Sequence, residues 1–554
     1  MDDAARSLIG QGDQLFSKRS TLVSLWQTIA DHFYTDRADF TSSRTVGMDD
    51  EHLMTGYPQM LRRDLGNAFS AMLRPTNLNW FHVKASREEY EDQPAKQWLE
   101  RASATMRRAM YDRKAQFQRA TKEGDHDFAA FGQAVISVEM NRNADGLLYR
   151  CWHLRDVAWC ENAEGIVDVV HRKWRPTAID LSLLFPGKIH PKVSEKLQGP
   201  NANPYCEINC RHIVIPAMHY RGEYWGKGRR DPLTGEAYPF VSVFIDADNN
   251  HVMEVKAMAY MMCVIPRWQT VSGSQYAYSP ATRIALPDGR LLQAMTRVLL
   301  EAGEKAVNPP MIAIEEAIRS DIGMYAGAIT WADAAYDERL GEVLRPLTQD
   351  KSGLPLGIEM RNDTMGMLRE AFFLNTLTLP QTGPEMTAYE VGQRIQEFIR
   401  QATPIFEPME TEYNGGLCDV TFDLMLRAGA FGSLQDIPES IAGDDVTFGF
   451  TSPLHDAIEK QKGQQFNEAT AIVGQTLPVY PGAASVIDFA TAFRDVMNAT
   501  VPAKWLRSED EVEAIEEEEA AREQAQALLQ DMSAGAQVAT QIGEAGQAIE
   551  AMPA

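Results

Sequence analysis

The strongest constraint on this chain is a pair of helical segments separated by a long excursion. Leu291, Leu292, Met295, Val298, Leu299 and Ala302 recur at 0, 1, 4, 7, 8 and 11, one apolar stripe over three turns of helix. Pro287 and Asp288 predict its start. Asn308-Pro309-Pro310 stops it, because proline removes a donor and restricts the residue before it. The residues from there to Gly353 read as irregular with short strands. A second helix is expected from about Ile358 to Leu377, presenting Met360, Met367, Leu368, Phe372 and Phe373. The run Thr378-Leu379-Pro380-Gln381-Thr382-Gly383-Pro384-Glu385-Met386 then reads as a loop stiffened by two prolines. Thr387-Ala388-Tyr389-Glu390 opens the next helix as a capping box, Thr387 and Glu390 being the reciprocal pair. Val391, Ile395, Phe398, Ile399 and Ala402 continue it.

Around this centre the periodicity divides the chain. Residues 1 to about 135 read as mainly helical, with runs at Leu61 to Leu73 and Trp98 to Met110. From about 135 to 285 the pattern is mostly β, with strands expected at 135–140, 166–171, 212–215, 240–245 and 252–255 and a helix near 177–185. Val446 to Phe450 reads as one more strand, and helices are expected at 456–474 and 485–498. Residues 507–523 hold nine acidic groups against Arg507 and Arg522, a solvated helix that gives way to an Ala-, Gln- and Gly-rich tail. The fold class expected is α+β.

The formal charge of the 554 residues is −24. Proteins that grip nucleic acid through phosphates present basic surfaces, so ordinary DNA binding is disfavoured. The longest apolar run, Ala257 to Ile265, is too short to cross a bilayer and reads as a buried strand. The acidic start Met1-Asp2-Asp3 carries no secretory core. Six cysteines make no disulfide framework. Cys206, Cys210 and His212 lack a second pair at finger spacing, so free buried thiols are the better reading.

No phosphate loop, H-E-x-x-H helix or G-x-S-x-G elbow occurs. Gly222, Gly226 and Gly228 do not fit a dinucleotide loop. His126 between Asp125 and Asp127 is the one local acid/base constellation. Adjacent helical residues point apart, so solvated charges are expected there. No catalytic residue, metal ligand or cofactor is predicted, and an interaction or structural machine is the leading class.

Several segments, in order, carry a resemblance: Leu73-Arg74-Pro75 before Trp80-Phe81; Phe131-Gly132-Gln133-Ala134 before a strand; and Tyr278-Ser279-Pro280-Ala281 leading to Leu286-Pro287-Asp288. Glu304 to Pro310, Thr387-Ala388-Tyr389-Glu390-Val391 with Arg394, and Ser452-Pro453-Leu454 complete the series. Together they span roughly residues 60 to 455. Their order resembles the portal, or head-to-tail connector, proteins of tailed bacteriophages, especially the short-tailed phages.

That resemblance implies a ring, usually a dodecamer, at one capsid vertex, through which double-stranded DNA is packaged and ejected. It implies a wing over 1–285, a first stem helix over 286–307, a clip over 308–353 and a second stem helix over 354–377. A tunnel loop would follow at 378–386, then the tunnel helix and return to the wing at 387–455. A helical crown would span 456–523, with a flexible tail at 524–554. Implied partners are the large terminase, which supplies ATP hydrolysis, the major capsid and scaffold proteins, and a tail adaptor. The location would be the virion, with the host cytoplasm during assembly, and no membrane. Two other classes stay open at this point: a nucleic-acid-processing enzyme with an unrecognised active site, and a capsid or scaffold protein.

Overall fold

The computed structural model describes residues 2–42, 53–76, 79–87, 92–198, 202–220, 230–307, 311–313, 344–346, 353–375, 409–443 and 446–450, with shorter helical pieces at 397, 400–401 and between 466 and 497. The chain divides into two compact units. One comprises Met1–Tyr90 with Gln97–Ser452, the other Glu91–Lys96 with Pro453–Ala554.

The first unit is mixed α+β. Its largest sheet is a five-stranded antiparallel meander of β4 (Val157–Glu161), β5 (Val167–Trp174), β6 (Cys210–Pro216), β7 (Phe240–Asp246) and β8 (His251–Met258). Asx chemistry builds its turns. Asn162 Oδ1 accepts the amides of Glu164 (2.9 Å) and Ile166 (3.0 Å), and Asp246 Oδ1 accepts those of Asp248 (3.1 Å) and Asn249 (3.2 Å). Successive side chains alternate between faces, so each face collects its own core. Ile213, Ile215, Val241, Val243 and Ile245 pack on Ala5 and Leu8 of α1 (Asp2–Lys18). On the other face, Cys210, Met253 and the ring of Phe244 meet α6 (Ala178–Leu184) and α7 (Pro191–Gln198).

A smaller sheet orders β3 (Leu147–Cys151), β2 (Ile136–Met140) and β9 (Cys263–Val264). The run Ala257 to Ile265 is therefore not one strand but the end of β8, a turn, and β9. A two-stranded sheet pairs β1 (Phe81–Ala85) with β12 (Val446–Phe450), the strand expected there. Strands at β3 and β4, and the helices α7 and α10 (Gly416–Arg427), were not legible in the sequence.

Four helices surround a second core: α2 (Ser20–Phe33), α3 (Tyr57–Leu73), α5 (Phe117–Phe131) and α8 (Pro280–Val307). Its aromatic residues interlock. Phe69 sits edge-on to Phe128 at 5.9 Å, and Phe128 stacks on Trp268 at 5.4 Å. The helix α4 (Gln93–Met110) completes the set, near the predicted Trp98 to Met110.

Two expected helix boundaries move. α8 begins at Pro280, with Pro287 inside it, rather than opening at Pro287 or at 286. Pro280 occupies the first helical position, where a missing N–H costs nothing, and the hydroxyl of Ser279 lies 3.4 Å from the amide of Thr282. Pro287 is tolerated on an exposed face, at the loss of one backbone bond. The second helix, α9, runs Gly353–Ala371 and stops short of the expected 377. Phe373 turns to φ +56°, and the buried Phe372 anchors the exit.

The first residues of α4 fall in the second unit, where Asp92 caps the helix by accepting the amide of Ala95 (2.9 Å). The ring of Phe466 meets Phe489 and Phe493 at 6.5 and 6.3 Å, in segments where helices were expected. No helix among the described residues is long and apolar enough to cross a membrane.

Candidate functional site

The helix pair α8–α9 is antiparallel. Gly357 faces Leu299, so closely that a Cβ there would lie 2.9 Å from Leu299 Cδ2, and the Thr364 hydroxyl approaches Met295 Sδ at 4.0 Å. The predicted stripe divides between two faces. Leu292 is buried at 1% exposure and Met295 and Leu299 are half-buried, whereas Leu291 and Val298 are 45% and 63% exposed. Ile284, also exposed, extends these two into a line of one residue every seven. At 3.6 residues per turn that line lies roughly a third of a turn from the buried Ala281, Ala285, Gly289 and Leu292.

The base of the pair is clamped by residues from the sequence motifs. Gly132 ends α5 in the left-handed region at φ +73°, the usual device of a C-terminal glycine. Its α-carbon lies so close to the next segment that an added Cβ would sit 2.0 Å from the carbonyl carbon of Tyr278. Three hydrogen bonds cross this approach. Ser279 Oγ donates to Ala129 O (2.7 Å), Thr282 Oγ1 to Ala130 O (2.7 Å), and the Ala277 amide to Gln133 Oε1 (2.9 Å). Higher on α8, Gln293 Oε1 accepts the amides of Met54 (2.7 Å) and Thr55 (3.0 Å), and its Nε2 donates to Thr55 O (2.8 Å). The ring of Phe33 sits against both Gly289 of α8 and Phe372, the residue that follows α9.

Behind this clamp lies a buried ionic network. Arg74 ion-pairs with Asp125, donates to Asn414 Oδ1 (2.7 Å) and stacks over Tyr413 at 4.5 Å. Burial alone would lower the Arg74 pKa, but Asp125 outweighs it and holds the guanidinium above its usual range. Arg37 pairs with Asp127 at 3.1 Å, and that carboxylate raises the Arg37 pKa in turn. The solvated reading of Asp125 and Asp127 is thus overturned: both are buried, at 0% and 1% exposure, because each finds an arginine far away in sequence. His126 between them is pushed down to about 4 by burial, and so is neutral. Arg74 belonged to a quoted motif, but nothing in the sequence paired it with Asp125 or Asn414.

The remaining expectations fall as follows. Thr378, Leu379, Pro380, Gln381, Thr382, Gly383, Pro384, Glu385, Met386, Thr387 and Glu390 all lie outside the described residues. Within 308–353, strands β10 (Met311–Ala313) and β11 (Leu344–Pro346) pair with each other, antiparallel. Cys210 and His212 are packed within the large sheet, the thiol pushed up and the imidazole down by burial, and His212 stacks on Phe244 at 4.1 Å. Among the described residues no group of three or more His, Cys, Asp or Glu is placed to hold a metal ion.

The body thus clamps the base of one antiparallel helix pair and pairs the buried Asp125 and Asp127 with arginines. A family model described as bacteriophage head to tail connecting protein matches residues 5–506, and the chain belongs to that family. It is similar to a "Probable portal protein" of Bordetella phage BPP-1, 24% identical over 97% of this chain and 95% of that one. It is likewise similar to the "Portal protein" of Salmonella phage epsilon15, 21% identical over the same shares of each chain. A solved structure titled as the neck of an empty GTA particle aligns at a TM-score of 0.35 and 9% identity, over 76% of this chain and 86% of that one, a likeness too slight to bear on the fold.

Proposed function

We propose that this chain is the portal subunit of a bacteriophage head, assembling into a ring, a dodecamer in the usual case, at one capsid vertex. Family membership and the two portal relatives support this reading over an unrecognised enzyme or a shell or scaffold protein. The observation that carries the ring is the exposed line Ile284, Leu291 and Val298 on the face of α8 turned away from its own core. These three side chains are 62%, 45% and 63% exposed, so covering them is worth roughly 3–5 kcal/mol before association costs, and a neighbouring copy supplies the cover. Residues 1–285 then form the wing, with 286–307 and 354–377 as the stem helices, 308–353 as clip, 387–455 as tunnel helix and return, 456–523 as crown and 524–554 as tail.

The function is guidance rather than catalysis. The loop 378–386, held by the Thr387–Glu390 cap, projects toward the axis. Duplex DNA carries a phosphate charge every ~1.7 Å, so a basic wall would hold it and an acidic or neutral one keeps it centred and moving. The clip meets the large terminase during packaging and the tail adaptor afterwards. Capsid and scaffold proteins surround the ring during assembly in the host cytoplasm.

Negative-stain imaging of purified protein tests the reading. Rings with a central hole wide enough for duplex DNA are expected. Ile284→Glu with Val298→Glu should leave folded monomers. Rings that persist in that variant would refute the α8 interface, and shells or unassembled wild-type chains would refute the portal reading. Glu385→Lys should slow packaging without blocking assembly, and deletion of 309–350 should abolish terminase recruitment.

A further inference from the structure

Five cations converge on one cavity of the first unit, although the whole chain carries −24. The cavity, of about 750 Å³, lies at one end of the five-stranded sheet, where β5 finishes and β6 begins, beneath the loop at Asp39 to Ser42. Arg155, Arg172, Lys173, Arg175 and Arg211 line it, with Trp152 and Trp174 between them.

Two of the five are already matched. Arg155 meets Asp39 at 2.5 Å and Asp156 at 3.1 Å, and Arg211 meets Asp13 at 2.8 Å. Arg172, Lys173 and Arg175 have no carboxylate within 4.0 Å among the described residues. Arg172 is the most unusual. Its guanidinium lies 3.0 Å over the ring of Trp152 and 5.5 Å from that of Trp174. The aromatic rings fix its plane, yet no protein acceptor among the described residues takes its N–H donors. Burial with so little compensation pulls its pKa down to about 9. Arg172 is only half-buried, and its donors stay within reach of the cavity. A planar fork of unpaired donors matches a carboxylate or phosphate two bonds at a time.

We infer that this cavity is a binding site for an acidic peptide segment of a partner protein, its carboxylates taken by Arg172 and Arg175. A peptide fits better than nucleic acid for an electrostatic reason. Asp39, Asp156 and Glu207 also line the cavity. An unbroken run of phosphates would be repelled by all three, whereas a peptide can place neutral residues beside them and glutamates beside the arginines. The cavity holds a few side chains, not a helix, so the segment binds extended. The site stands independently of ring formation.

The test is fluorescence anisotropy with a fluorescein-labelled peptide alternating glutamate and glycine, titrated with the full chain at low salt. Binding is expected in spite of the −24 charge, which by itself would exclude it. Losing a charge-assisted bidentate contact weakens binding by about tenfold or more, so Arg172→Gln should raise the Kd at least that far. Arg175 is exposed, so Arg175→Gln leaves folding untouched and should raise the Kd several-fold. Absent binding, or a Kd unchanged in both variants, would overturn the site. An oligothymidylate of equal charge that competes better than the unlabelled peptide would overturn the peptide in favour of nucleic acid.

Discussion

Replacing Gly132 by alanine separates two effects that usually come together. The left-handed backbone at φ +73° costs an L-residue roughly 1–2 kcal/mol. The methyl group would also meet Tyr278 C at 2.0 Å, Ser279 N at 2.2 Å and Tyr278 O at 2.3 Å. Those are backbone atoms at the entry to α8, which cannot rotate aside as a side-chain tip can, so overpacking adds roughly 1–3 kcal/mol. The total is about 2–5 kcal/mol. Gly165 provides the control: its φ is +79°, nothing lies within 4 Å of its added Cβ, and Gly165→Ala should cost only the backbone part. Urea denaturation of both variants, followed by tryptophan fluorescence, gives the comparison. Gly132→Ala should also impair ring formation, since the segment it displaces is the base of the helix pair. Equal losses in the two variants would show that α5 and α8 do not approach as closely as described, and would refute the clamp.

Three further outcomes follow from buried polar groups. Arg74→Met strands Asp125 in the core and should cost about 3–5 kcal/mol, while Arg74→Met with Asp125→Leu recovers most of it in a double-mutant cycle. Gln293→Leu leaves two amides, of Met54 and Thr55, without their acceptor and should cost about 1–3 kcal/mol by denaturation. His171 and His212 are held neutral by burial, at about 4 and about 3, against 6.5 when exposed. Unfolding therefore takes up protons below pH 6.5, and stability falls as pH drops from there to about 4. At pH 5 each contributes a loss of about 2 kcal/mol, visible as a falling melting temperature that His212→Gln should partly flatten.

The sequence made helices and strands legible wherever one face had to be apolar. The stripe from Leu292 to Leu299 and the alternation in β6 and β7 are examples. It misplaced the start of α8 because Pro287 imitates a helix opening, while the true cap is Ser279 together with partners on α5. It misread Asp125 and Asp127 for a related reason. Their arginines stand 51 and 90 residues away, and a local argument about neighbouring side chains has no access to them. The clamp motifs were visible as Phe131-Gly132-Gln133 and Tyr278-Ser279-Pro280, but not that they touch. The cluster at Arg172 was invisible because its members come from three separate segments.

The pairing of β1 with β12 has a consequence for synthesis. Thr447 Oγ1 donates to Ala85 O across 362 residues of chain. At roughly 5–20 residues per second, Phe81 and Val83 leave the ribosome about 20–70 s before their partner strand exists. For that interval β1 is an unpaired edge with apolar side chains, open to any other nascent copy nearby. The first unit can close only once nearly its whole length has been made, so its yield of folded subunits should depend on translation speed and on crowding by sister chains.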